Sequence, residues 1–362
     1  MQTIIVRIIS DYQNSTIQTW LKQQSILGDC SYHTEDTQVF FTTQDIESDY
    51  VLLINKVNHD TSVYCPKNNV WGLQQEPFIP ANQEYCKPFK NEFAKKPSTY
   101  ISCSKVLAFV KELLNHQDKF IPSPPFIYWL IEGGERKLSY QDLLNLQITQ
   151  KSKEISCVAN LDKKAFAGHL QRAKFVRFLQ KTSLPIQYFG GEKAHNTIPT
   201  KLEALQDFKY SIAIENSSTP YYFSEKITDC FIAGCMPIYY GAENIFDFFP
   251  EKSLIWIDIK QPNKAKQIIY NALQEKLWEK NLDYILEARQ KCFQDYNFIN
   301  AIGSQILKDF QAPLPKERFI IKGYKTPFYE SCIKRLEHTW LYLKRPFIPI
   351  QKAEIENNTF NQ

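Results

Sequence analysis

Residues 210–241 read YSIAIENSSTPYYFSEKITDCFIAGCMPIYYG. The apolar runs 210–215 and 236–240 read as buried strands. Between them a polar loop opens at Asn216, and a helical stretch covers 224–233 and stops at Gly234. A strand, a helix and a second strand at this spacing predict a parallel βαβ unit. The unit before it has the same build: a strand at 155–160, a helix at 170–181, and a strand at 186–189 closed by Gly190–Gly191. Two such units in succession predict a doubly wound α/β sheet, whose ligands sit beyond the carboxyl ends of the strands where loops enter helices. The loop after Glu215 is such a place.

Farther upstream, short apolar runs at 4–10, 38–43, 50–57, 70–73 and 100–104 are separated by polar turns, with a helical pattern at 106–115. They predict a first α/β layer. The Pro-rich IPSPP stretch, the turn Gly133–Gly134 and a segment rich in Gln and Leu then mark a break. The division expected is 1–150, 151–312 and a tail at 313–362, consistent with 362 residues at roughly 100–200 per domain. A composition of 43% hydrophobic and 23% charged residues excludes wholesale disorder.

Composition also narrows the chemistry. The apolar stretch 231–242 contains Gly and Pro and falls well short of the roughly 20 residues a membrane span needs. The N-terminus, MQTIIVRIISDYQ, carries Arg7 in its apolar run and lacks a small-residue cleavage pattern, so a cytoplasmic location is expected. Nine cysteines, an odd number with no Cys-x-x-Cys pair, predict reduced thiols, and the scattered histidines offer no zinc ligand set. Neither a P-loop nor Gly-x-Gly-x-x-Gly occurs among the 11 glycines, and no Asp-x-Asp is present to bridge a metal to a diphosphate. A bound diphosphate would therefore be held by side chains and helix ends, without an obligatory metal.

The net charge of +4 is unevenly spread and gives no indication of a nucleic-acid partner. From 313 to 352 nine Lys/Arg stand against three Glu, interleaved with Phe328, Tyr329, Trp340, Tyr342 and Phe347. Two readings fit: peripheral docking on an anionic membrane surface, or a C-terminal helix packed on the second domain with its charges in water.

Ser224 is the expected N-cap of the 224–233 helix, which leaves backbone N–H groups free to attract an anion. Lys226, in the first turn, opposes the helix dipole by roughly 0.3–1 kcal/mol, so something negative should offset it. Glu225 is one answer and a bound phosphate the other. Glu215, Asn216, Tyr222, Glu225 and Lys226 all converge on this one loop. Of the two arginines in the preceding helix, Arg172 is nearer its start and can grip phosphate oxygens at the same crevice, while Arg177 reads as a surface charge.

Ala-Ile-Glu-Asn-Ser (213–217), Tyr-Phe-Ser-Glu-Lys (222–226), Ala-Gly-Cys-Met-Pro-Ile-Tyr-Tyr-Gly (233–241), Asn244–Ile245 and Phe-Pro-Glu-Lys-Ser (249–253) together resemble the donor site of the α-1,3-fucosyltransferases, glycosyltransferase family ten. Two positions depart from it: Ser224, where the family usually has Thr, and 187–191, where many members show Val-Asp-x-Tyr-Gly. The resemblance implies a GT-B architecture, two Rossmann-like domains facing across a cleft, with GDP-fucose on the C-terminal domain and a glycan acceptor on the N-terminal one. It implies that Lys226 and Arg172 neutralise the diphosphate, that Glu225 accepts from the ribose hydroxyls, and that Asn216 and Tyr222 line the nucleotide and fucose pocket.

An inverting transfer also needs a general base, which the family carries on a Glu just after an N-terminal strand. Glu76, in VWGLQQEPFIP, is the candidate, with Glu132 and Glu135 as rivals. The activity implied is transfer of L-fucose from GDP-fucose to O3, with O4 as the alternative, of a GlcNAc- or Glc-containing glycan. A bacterial surface polysaccharide precursor at the cytoplasmic face of a membrane is the expected acceptor. Another nucleotide sugar on the same fold, or a catalytically idle glycan- or membrane-binding protein, are the competing readings.

Overall fold

Every residue of the run Ile-Val-Arg-Ile-Ile-Ser is in or near a strand that a helix covers, so apolar side chains point both ways from it. The strand is β1 (Gln2–Ser10), followed by α1 (Asn14–Gln24), β2 (Ser31–His33), β3 (Thr37–Thr42), β4 (Tyr50–Ile54), β5 (Thr61–Cys65), β6 (Val70–Leu73), β7 (Lys105–Ala108), α2 (Lys111–Leu114) and β8 (Phe120–Pro122). The computed structural model describes residues 1–79, 91–116, 118–132, 138–161, 167–190 and 200–325. Among them, seven strands form a sheet in the order β2-β3-β1-β4-β6-β7-β8, with only β2 antiparallel to its neighbour. The strand order reverses between β1 and β4.

Two expectations for this layer are corrected. Residues 100–104 are not a strand: a 3-10 turn, Pro97–Tyr100, precedes it and the strand is β7. Residues 106–115 are not one helix but β7 followed by the single turn α2. The physical reason is that Val106, Leu107, Ala108, Phe109 and Val110 are all buried, which a strand inside a covered sheet achieves and a surface helix does not.

The second layer contains α3 (Tyr140–Leu144), β9 (Lys153–Val158), α4 (Ala167–Leu179), β10 (Ile186–Phe189), β11 (Phe208–Ile214), α5 (Glu225–Ile232), β12 (Met236–Tyr240), β13 (Ile255–Trp256), α6 (Pro262–Gln274), α7 (Leu277–Lys280) and α8 (Leu282–Gln294). Its strands run parallel in the order β10-β9-β11-β12-β13, reversing between β9 and β11. Trp129, Ile131, Tyr140 and Leu143 already pack into the core of this layer.

The chain then returns to the first layer. Phe298, Ile299, Ile302 and Ile306 of α9 (Phe298–Asp309) share a core with Ile4, Val6, Ile8 and Phe41. Asn297 caps α9 by accepting from the Asn300 N–H at 3.0 Å, and its amide donates to the Gln24 carbonyl at 2.9 Å, which fastens α9 to the end of α1. β14 (Glu317–Ile321) runs antiparallel to β5. The first residues of the expected tail therefore belong to this small sheet, while 326–362, with Phe328, Tyr329, Trp340, Tyr342 and Phe347, lies outside the described residues.

The layers meet at the carboxyl ends of their strands. Phe109, one residue past β7, packs against Tyr222 in the loop after β11, with ring centroids 5.1 Å apart. The α/β class and the two facing Rossmann-like units expected from the sequence are what the chain forms.

Candidate active site

Where β9 and β11 diverge, a cavity of about 200 Å³ is lined by Cys157, Val158 and Ala159 at the end of β9, by Ser211, Ile212 and Ile214 of β11, and by Arg172, Lys201, Glu225 and Lys226. This is the switch point at which an open parallel sheet offers a crevice. Gly168 lets α4 approach closely: a Cβ there would fall 1.8 Å from the Asn216 carbonyl oxygen, so any larger residue would push the helix and Arg172 off the loop.

Glu215, one residue past β11 and 1% exposed, organises the loop. It accepts from the Ser224 N–H at 2.8 Å, and the Ser224 hydroxyl lies 2.7 and 2.8 Å from its two oxygens. Ser224 caps α5 as its sequence position suggested. Lys226 Nζ lies 3.2 Å from Glu215, 3.2 Å from Glu225 and 2.9 Å from the Ser224 hydroxyl. Burial works against its charge, but Glu215 and Glu225 outweigh that and raise its pKa, so it stays an ammonium. Burial likewise opposes the Glu225 carboxylate, and Lys226 and Lys201 together overcome it and hold Glu225 below the usual carboxylate range.

Arg172 Nη1 donates to Asn216 Oδ1 at 3.0 Å. Burial lowers its pKa and Glu215 and Glu225 resist, yet a guanidinium remains charged in proteins. Its Nε, also buried, has no hydrogen-bond partner. A buried, incompletely satisfied cation beside a second cation is the arrangement an anion completes.

A third cation escaped the sequence reading. Lys201 donates to the Glu225 carbonyl at 3.0 Å and to Asp229 at 2.8 Å. Burial opposes its charge, and Asp229 and Glu225 prevail and raise its pKa. Burial lifts Asp229 to about 6 against the pull of Lys201. Lys201 sits in a polar stretch without periodicity, so nothing in the sequence pointed to it; only the pairing of β9 with β11 brings that stretch to the cavity.

Tyr222 does not line this cavity. Its ring turns to Phe109 of the other layer, and its phenol, raised first by burial, feels Glu215 and then Glu76. Glu76 stands three residues past β6. Its backbone N–H and that of Gln75 donate to Asn55 Oδ1 at 3.0 and 2.9 Å. Its carboxylate accepts from the Tyr12 hydroxyl at 3.2 Å and from the Asn91 amide at 3.1 Å. Residues past β1, β4 and β6 thus fix one carboxylate on the edge that faces the β11 loop. Of the rivals, Glu132 lines a separate cavity with Trp20 and Trp129, and Glu135 lies outside the described residues.

Arg177 faces away from the crevice, donating to the Leu161 carbonyl at 3.4 Å. Tyr239 and Tyr240 are buried on β12, and Cys230 and Cys235 are buried thiols. Among the described residues no group of three His, Cys, Asp or Glu is placed to hold a metal ion.

Residues 148–281, which carry this cavity, match the model of glycosyltransferase family 10 (fucosyltransferase), C-terminal domain. This segment belongs to glycosyltransferase family 10. It is similar to an alpha-(1,3)-fucosyltransferase B of Drosophila melanogaster, 25% identical over 221 residues that cover 58% of this chain and 47% of the relative. It is also similar to the alpha-(1,3)-fucosyltransferase FucT of Helicobacter pylori, 28% identical over 120 residues, 30% of this chain and 25% of that protein. The chain thus matches half or less of the length of these curated relatives. A crystal structure of an alpha1,3-fucosyltransferase with GDP superposes with a TM-score of 0.45 at 15% identity, covering 80% of this chain and 82% of that one.

Proposed function

We propose that this protein is an inverting fucosyltransferase that moves L-fucose from GDP-fucose to O3, or to the neighbouring O4, of a GlcNAc- or Glc-containing glycan. The observation that carries the reading is that Arg172 and Lys226, from two successive βαβ units, line one cavity at the switch point of the C-terminal sheet. Two fixed cations there would offset the charge of a bound diphosphate and the further negative charge that develops on it as the bond to the sugar breaks, which is preorganised electrostatic stabilisation. Glu225 and Asn216, at the rim of the same loop, are the polar groups for the ribose and the sugar.

In the reaction, an acceptor oxygen attacks the anomeric carbon of fucose as the bond from that carbon to the diphosphate oxygen breaks, inverting the centre. Glu76 receives the proton of the attacking hydroxyl, a contribution of typically 10²–10⁴ in rate. Its two hydrogen-bond donors, Tyr12 and Asn91, orient the carboxylate.

The same reading places the protein in the cytoplasm, at the inner face of a bacterial membrane, on a surface polysaccharide precursor, with residues 313–362 making the contact. The charge surplus of that tail and the buried, unpaired state of the seven described cysteines support it.

Incubation with GDP-fucose and N-acetyllactosamine, or a wider glycan panel, tests the activity: GDP should be released and an acceptor fucosylated. Calorimetry should show GDP binding well and UDP and ADP poorly. A folded protein that turns over no acceptor and does not prefer GDP would overturn the proposal.

A further inference from the structure

Asp11 stands directly after β1 and Asn55 directly after β4, the two strands between which the order of the N-terminal sheet reverses. At the corresponding place of the C-terminal sheet lies the Arg172–Lys226 cavity, and an open parallel sheet offers the same kind of crevice here. Asn55 is completely buried and takes the left-handed conformation, with a φ of 55°, which asparagine adopts more readily than most residues. Its amide serves both neighbouring strands. Oδ1 accepts from the Gln75 and Glu76 N–H groups, and Nδ2 points to Asp11 Oδ1 at 3.4 Å. Tyr12 adds a second link, because its hydroxyl donates to Glu76 from the residue next to Asp11. Two carboxylates, Asp11 and Glu76, are thereby held in a fixed relation on one edge.

Glu76 has its donors, and Asp11 is short of them. The Asn55 amide and the Ser10 hydroxyl, at 3.4 and 3.5 Å, both reach Oδ1 and are longer than an ordinary hydrogen bond. No side chain among the described residues donates to Oδ2. The residue is half-buried, and burial raises its pKa. Asn55 and Lys56 resist that shift, Lys56 through space and without an ion pair, and Glu76 adds to it. A carboxylate has about four lone-pair positions, and a partly buried one left short of donors costs free energy that the donors of a ligand recover. Sugar hydroxyls are such donors, neutral and several to a ring.

We propose that Asp11 is a specificity-determining residue of the acceptor site, its carboxylate accepting from a hydroxyl of the acceptor sugar other than the one that Glu76 deprotonates. The assignment rests on the transferase reading with Glu76 as base. One carboxylate then takes the attacking hydroxyl while the other holds the acceptor by a second one. Because Asn55 fixes the two carboxylates relative to each other, their separation selects which hydroxyl faces the donor.

Acceptor kinetics of the full chain test it, with saturating GDP-fucose and N-acetyllactosamine, or whichever glycan of the panel the wild type fucosylates. Asp11→Ala should raise the acceptor KM at least about tenfold while changing kcat by less than about threefold, with GDP affinity unchanged. Asp11→Asn keeps the shape of the side chain, which serves if the alanine variant folds poorly, and should raise the KM about threefold or more. Monodeoxy analogues of the acceptor separate a contact from support of the fold. One analogue that keeps the attacked hydroxyl should show with the wild type the KM that the full acceptor shows with Asp11→Ala, and should lose less than about twofold more with the variant. A structural role for Asp11 penalises every analogue alike. A wild type that fucosylates no glycan of the panel overturns the transferase reading and this assignment with it. An active wild type whose acceptor KM is unchanged in the folded variants, or analogues that all lose as much with the variant as with the wild type, overturns this assignment alone.

Discussion

Lys226 and Glu215 stand 3.2 Å apart, the carboxylate fully enclosed and the ammonium partly open. Glu215 is anchored by Ser224 from one side, so the ammonium is held between a buried anion and the cavity it lines. Placing a lysine in the first turn of α5 against the helix dipole is thereby offset before any ligand arrives.

Lys226→Ala should weaken GDP binding by about 1.5–3 kcal/mol, the range for charge-assisted hydrogen bonds. Combined with Arg172→Ala, the loss should differ from the sum of the two single losses by at least about 0.5 kcal/mol, because the two cations share one ligand and feel one another's field. Calorimetry on the four proteins of this cycle measures both quantities; strict additivity would mean that the two side chains do not meet on one diphosphate.

Ser224→Ala removes the cap of α5 and a hydrogen-bond partner of buried Glu215 together. A destabilisation of about 1–2 kcal/mol is expected in chemical denaturation. Ser224→Thr keeps the hydroxyl and should stay within about 0.5 kcal/mol of wild type. If Thr is as damaging as Ala, the hydroxyl is not what holds the loop.

Glu76→Gln keeps an oxygen for the Asn91 amide and can turn its own N–H to the Tyr12 hydroxyl as acceptor, but cannot take a proton. Turnover should fall by about 10²–10⁴ while GDP affinity, set on the other layer, stays unchanged. Single-turnover kinetics with saturating GDP-fucose reads the first quantity and calorimetry the second; retained turnover would move the base elsewhere.

Asp229 gives a signed pH dependence. Burial raises it to about 6 in the folded protein from the ordinary 3.8, against Lys201. An acid with a raised folded pKa contributes stability that is present in full below 3.8 and is lost as pH rises through about 6. The stability of wild type relative to Asp229→Asn should therefore grow as pH falls from 7 to 4, by on the order of 1–3 kcal/mol. Glu225 runs the other way: its pKa is lowered, so its contribution is present above 4.5 and fades on further acidification, but it is common to both proteins and cancels in the difference. Urea denaturation at several pH values checks this, and a difference independent of pH would show that Asp229 keeps an ordinary pKa.

The sequence by itself determined the βαβ rhythm of 155–240, the cap at Ser224, the grouping of charged residues after Glu215 and the strand-end position of Glu76, because each depends on neighbours along the chain. Apolar runs bounded by Gly and Asn define strands locally, and a capping hydroxyl acts within three residues. The apolar stretch 106–110 was misread because a continuous apolar run suits a buried strand and a helix equally well until the covering layers are known. What only the tertiary structure decided depends on contacts between distant stretches: Lys201 and Asp229 at the cavity, Gly168 against Asn216, Tyr222 tilted against Phe109, and β14 laid beside β5. A lysine's role is set by which carboxylates and which void lie within a few ångströms of its ammonium, and no spacing along the chain encodes that distance.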